Sequence, residues 1–178
     1  MGEIKSSLDI VMEKTRHLKL TDEERQTQKL KDIQGSLKGL LQKYKDHLLK
    51  DEKMRTEWEA LKHSHSLPDD SLLVIEALQQ IGLDQENQPL LHLLTEVCHL
   101  NTSGLTTVFE AYEETRQEAL DQFRLKAKDR LARKRSISGS AVVPNIEQDR
   151  GWADQNQKIE MAHEALLEQE RQKLLNAE

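Results

Sequence analysis

Apolar residues recur every three or four positions through most of this chain. They almost never alternate as the residues of a half-buried strand would, so the pattern predicts helix throughout. Ile4, Leu8, Val11, Met12, Thr15 and Leu18 make one stripe of a first helix of about four turns. Thr21-Asp-Glu-Glu24 has the form of a capping box, a hydroxyl for an exposed amide and a glutamate three residues on to reach back, so a second helix begins near Asp22. From Leu30 the stripe steps in heptad register through Ile33, Leu37, Leu40, Tyr44, Met54, Trp58 and Leu61. It fails only at His47 and Asp51, where Leu41 and Leu48 offer an alternative seam. Read as one element, this helix reaches about His63 and is roughly 60 Å long at 1.5 Å per residue. Another long helix of the chain, or a second subunit, has to cover it.

Ser66-Leu-Pro-Asp-Asp70 ends that helix and opens the next, because proline suits a first helical turn and carboxylates favour a helix N-terminus. Ser71 to Ile81 is strongly apolar and Gly82 stands where a C-terminal stop belongs. Asn87-Gln-Pro opens a further short helix carrying Leu90, Leu91, Leu93, Leu94, Val97 and Leu100, and these two segments are expected to form a buried helical hairpin. After Asn101 to Gly104, another long helix carries Leu105, Val108, Phe109, Tyr112, Leu120, Phe123, Ala127 and Leu131, and a final helix follows Gly151-Trp152 with Ile159, Ala162, Leu166 and Leu174. The simplest assembly is an elongated all-α bundle. The helix of residues 22–63 and that of residues 105–131 lie antiparallel as a coiled-coil-like pair, with the hairpin at one end and terminal helices along them. Residues 1–135 then form the bundle, 136–150 a loop segment that is uncharged as far as Ile146, and 151–178 a helix packing back on the bundle, all within a single domain.

Composition agrees with this picture. Only 36% of the 178 residues are hydrophobic and 3% aromatic, against 33% charged, so the core is thin and built from aliphatic side chains, as long helices packed side by side allow. The start of the chain lacks the uninterrupted apolar core of a signal peptide, and no segment approaches the ~20 apolar residues of a membrane span. Cys98 is the only cysteine, so no intrachain disulfide forms, and a cytoplasmic location is expected. The net charge is −6, but residues 124–135 hold seven cations against Asp129 alone, which is +6 there and −12 across the remainder. That tract, with Arg130, Arg133, Lys134 and Arg135 at its end, is the candidate for binding an anion or the backbone of a nucleic acid. The bland alternative is the basic end of a long helix, where cations suit the dipole.

Ser136 to Ile146 is eleven residues without a charge in a highly charged chain, and its small hydroxylated residues, glycine and proline break the helical pattern. Ser136, Ser138, Gly139, Ser140, Pro144 and Asn145 are candidates for a recognition loop. The competing reading is a neutral linker folded over the bundle on Val142, Val143 and Ile146. Two Glu-x-x-His units, Glu96 with His99 and Glu160 with His163, have the spacing used by ferritin-like carboxylate metal sites. Seven histidines among frequent glutamates make such pairs expected by chance, and Glu96 and His99 project away from the apolar face of their own helix. No catalytic or cofactor signature is present, so no cofactor is expected. The functional expectation is a non-enzymatic interaction or structural protein, an adaptor or complex subunit, that binds protein partners and forms a homo-oligomer. Its seam is assigned to Leu30, Ile33, Leu37, Leu40, Tyr44 and Trp58, so Leu37→Asp is expected to dissociate the oligomer. Anion or nucleic-acid binding, and a ferritin-like metal-binding helical protein, are the alternatives.

The opening Met1-Gly-Glu-Ile-Lys-Ser-Ser-Leu-Asp-Ile-Val-Met-Glu-Lys-Thr15 and the segment Ile137-Ser-Gly-Ser-Ala-Val-Val-Pro-Asn145 resemble those of a family of small bacterial helical proteins. The resemblance implies a bacterial cytosol and an importance of these two stretches; it brings no activity, ligand or site residue with it.

Overall fold

The computed structural model describes residues 21–146 and 148–176, so the helix expected over Ile4 to Leu18 lies outside the described residues. Six helices follow: α1 (Asp22–Lys45), α2 (Asp51–His65), α3 (Ser71–Gln79), α4 (Gln88–Glu96), α5 (Ser103–Arg135) and α6 (Arg150–Leu175). No strand occurs among the described residues, and the fold is all-α. The capping box at the start of α1 is formed: the Thr21 hydroxyl accepts from the Glu24 amide at 3.2 Å, and the Glu24 carboxylate accepts from the Thr21 amide at 2.8 Å.

The helix expected over residues 22–63 is not one element. α1 ends at Lys45, His47 adopts a left-handed conformation (φ 56°), and the Leu48 amide donates back to the Lys43 carbonyl at 2.9 Å. This closure satisfies the carbonyls that a terminating helix leaves open. The chain then re-enters helix with Asp51 and Glu52 in the first turn of α2, where their charge suits the N-terminus. The two faults in the heptad seam, His47 and Asp51, therefore bracket a turn, and α2 packs against α1. What looked like a seam in need of an outside partner closes on itself.

The long antiparallel pair is also a different one. α5 runs against α6: Tyr112 meets His163 edge-on at 5.5 Å, Arg116 donates to Asn156 at 3.1 Å, and Phe123 meets Trp152 edge-on at 5.7 Å. At the start of α5, Gly104 lies so close to the Glu170 carboxylate that a Cβ would strike it. Position rises along α5 as it falls along α6, with the uncharged segment as the link between them.

One apolar cluster joins Leu37, Leu40, Leu41 and Tyr44 of α1, Met54 and Trp58 of α2, the inner faces of α3 and α4, Leu105 and Val108 of α5, and Leu167 of α6. The expected apolar hairpin, α3 with α4, sits in it. Polar staples close its ends. The Asn87 side chain donates to the Gly82 carbonyl at 2.7 Å and accepts from the Gly82 amide at 3.1 Å. Arg171 of α6 donates to the Ile81 carbonyl beyond the end of α3, and Arg55 of α2 to the Glu96 carbonyl at the end of α4. Carbonyls left over at helix ends are natural acceptors for such cations.

Candidate functional site

Two places on the molecule carry chemistry that the core does not consume. The first is an open cleft of about 590 Å³ at the α1–α2 turn, with Tyr44, Lys50, Asp51, Glu86 and His92 among its walls. The turn swings Asp51 back beneath Tyr44, and the N-terminal half of α4 brings His92 across. The Tyr44 hydroxyl donates to Asp51 Oδ1 at 2.7 Å, and His92 Nε2 lies 3.0 Å from Asp51 Oδ2. Burial, and after it the bond to Asp51, pushes the Tyr44 phenol well above its ordinary pKa. Hydrogen bonds from Tyr44 and His92 hold the Asp51 carboxyl below the usual carboxylate range. A carboxylate-backed imidazole is a competent base. No serine, threonine or cysteine is among the described residues that line the cleft, and the arrangement spends its hydrogen bonds on its own members. Its evident work is to tie the α1–α2 turn to α4.

The second place is the outer part of the α5–α6 pair. Beyond Leu105 and Val108, α5 leaves the main core and keeps only one face, with Tyr112, Leu120, Phe123, Ala127 and Leu131 buried or half-buried. The remaining faces are open: Leu125 is 66% exposed, Met161 67% and Val143 80%. The +6 tract forms the last three turns of α5. Lys126, Arg130, Arg133 and Lys134 line a shallow groove of about 300 Å³ with Asp129. Within this tract Arg124 pairs with Asp121 at 3.1 Å and Arg130 with Asp149 at 3.5 Å, while Lys126 sits over the Phe123 ring. Arg133, Lys134 and Arg135 are exposed at the helix end.

The expected sites fall as follows. Of the seam residues, Ile33, Leu37, Leu40, Tyr44 and Trp58 are buried, the last four of these within the chain's own core, and Leu30 alone is exposed. In the uncharged segment, Ser136 caps α5 in a left-handed conformation, and Ser138, Gly139, Ser140 and Asn145 are exposed. Pro144 and Val142 are half-buried and Ile146 is buried. The segment is thus anchored at Ile146 and open at its serines. Of the expected metal residues, Glu96 and His99 stand exposed at and just beyond the end of α4, remote in sequence from Glu160 and His163 on α6. Among the described residues no group of three or more His, Cys, Asp or Glu is placed to hold a metal ion. His163 is buried, with Nδ1 2.8 Å from the Ile159 carbonyl and its ring against Tyr112, which makes it a packing residue.

Sequence reasoning did not single out Asp84, Arg171 or the Tyr44–Asp51–His92 chain. Asp84 accepts from the Tyr112 hydroxyl at 3.2 Å and lies 3.7 Å from Arg116. Apart from Tyr44 and Asp51, which are seven residues apart, the partners that matter stand far along the chain, and no local spacing announces them. No described helix is long and apolar enough to cross a membrane. Comparison with protein-family models, with curated proteins and with solved structures found no match, so the surface chemistry alone carries the functional reading.

Proposed function

We propose that this protein is a non-enzymatic interaction subunit, an adaptor or structural component, that works through the helical surface of its α5–α6 pair. The observation that supports it is that the outer part of this pair leaves the common core and presents exposed apolar side chains, Leu125 within a concentrated block of cations on α5 and Met161 farther along on α6. Exposed apolar groups rimmed by polar ones mark interaction surfaces. The reading moves the contact face away from Leu37, Leu40, Tyr44 and Trp58, whose apolar area is already covered. Affinity purification of the tagged full chain tests it. The wild type and His92→Ala should retain the same protein partners, its own copies included, and Leu125→Asp with Met161→Asp should lose them. Partners that survive the double substitution would place the function elsewhere.

A second reading has its own support in the groove of Lys126, Arg130, Arg133 and Lys134: binding of a polyanion by contacts to phosphate. Such binding weakens steeply with salt, because each neutralised phosphate releases counterions. Absence of binding to a mixed-sequence RNA at low ionic strength would remove it.

A further inference from the structure

The cleft at the α1–α2 turn holds polar groups that the tie between α2 and α4 does not use. Its volume of about 590 Å³ lies within the range of about 300–1,000 Å³ typical of small-molecule sites. Its floor is fixed: Tyr44 and Leu49 are 4% and 7% exposed, Pro89 is buried, and Asp51 is held by Tyr44 and His92. Around this floor stand four exposed side chains, His47 and Lys50 from the α1–α2 turn, Glu86 from the turn before α4 and Gln88 from its first residue. None of the four side chains has a hydrogen-bonded or ion-paired partner among the described residues.

We propose that this cleft binds a small zwitterion, a free amino acid or a short peptide with an apolar body, its carboxylate at Lys50 and its ammonium at Glu86. Lys50 and Glu86 are opposite in sign, come from different turns and line one cleft without pairing with each other. A simple anion would be drawn to Lys50 and repelled by Glu86, and a simple cation the reverse. A ligand that carries both charges meets both at once. Asp51 competes less for the ammonium, because Oδ1 already accepts from Tyr44 and Oδ2 is engaged by His92. Leu49, Pro89 and the Tyr44 ring offer apolar surface to the body of such a ligand, and His47 and Gln88 can bond to a peptide unit.

Both charged residues are carried by backbone that is set before any ligand arrives. Asn87 clamps Gly82 with two hydrogen bonds across the turn that holds Glu86. Lys50 stands between buried Leu49 and the fixed Asp51. A preorganised site loses less conformational freedom on binding.

Calorimetric titration of the full chain with L-leucine and with trileucine tests this, and distinguishes the two sources. Binding by leucine points to a free amino acid, and binding by trileucine alone to a short peptide. For the ligand that binds, Lys50→Gln and Glu86→Gln should each weaken affinity about threefold, the scale of one partly exposed charge contact, with helical circular dichroism unchanged. Amidating the ligand's carboxylate should weaken binding to the wild type and cost Lys50→Gln nothing further. Acetylating its amine should act in the same way through Glu86→Gln. The inference is overturned if neither compound binds at about 10 mM, if neither substitution changes affinity, or if blocked ends bind as well as free ones. Leu125→Asp with Met161→Asp should leave this binding intact, so failure of the α5–α6 surface and failure of the cleft are separate results.

Discussion

Asp51 shows how a single residue changes meaning between sequence and structure. In the heptad pattern it is a fault, a carboxylate on an apolar seam. In the fold it opens α2 and accepts from both Tyr44 and His92. Because those donors favour the ionised form, its pKa is lower in the folded protein than in the unfolded chain. The resulting stabilisation is complete above the ordinary carboxylate value and fades as pH falls through the lower folded one. The difference in melting temperature between wild type and Asp51→Asn should therefore be constant near neutrality and shrink below about pH 4. A difference that grew on acidification would contradict the assignment. Glu76 is the opposite case. It is 1% exposed on α3, and its Oε2 lacks a hydrogen-bond partner and reaches only Lys38 at 3.8 Å. A buried carboxylate so weakly compensated costs more in desolvation than the pair returns. Glu76→Met should raise stability by about 1 kcal/mol in chemical denaturation; a loss would mean that the ion pair is stronger than its geometry indicates.

The helices themselves were legible where their signals are local. The capping box at Thr21, the Asn87-Gln-Pro opening of α4 and the break after Arg135 all depend on residues within a few positions of one another. Backbone economy at the element scale is less uniform. Gly35 and Gly39 stand inside α1 with nothing within 4 Å of an added Cβ, yet left-handed positions after helices are filled by His47, Ser66, His99 and Ser136. Glycine is costly within a helix and favoured at a left-handed terminus. Gly39→Ala and Ser66→Gly should each stabilise the protein by about 0.5–1 kcal/mol, measured by thermal or urea unfolding. If Gly39→Ala instead weakens partner binding without changing stability, the open surface at that turn of α1 is itself a contact surface.

At the scale of the whole molecule the apolar stripes were read correctly as stripes and assigned to the wrong partners. The side chains from Leu37 to Trp58 close around the turn at His47 onto α3 and α4, and α5 takes α6 as its neighbour. Leu37 is fully buried. Leu37→Asp therefore acts on folding: it should cost about 3–5 kcal/mol from lost packing and a buried charge, and lower the denaturation midpoint at any protein concentration. An oligomer that dissociated while the monomer kept its stability would restore the original seam.

Helix content, the buried hairpin and the segregated charge of residues 124–135 follow from the sequence alone, because periodicity, capping chemistry and net charge are set by near neighbours. Which stripe covers which was decided by tertiary structure. A period of three to four says that a face must be buried, but any other apolar face satisfies it equally. The left-handed turn at His47 selected one solution by reversing a helix that the heptads would have continued. It buried the expected seam and left the outer face of α5 exposed.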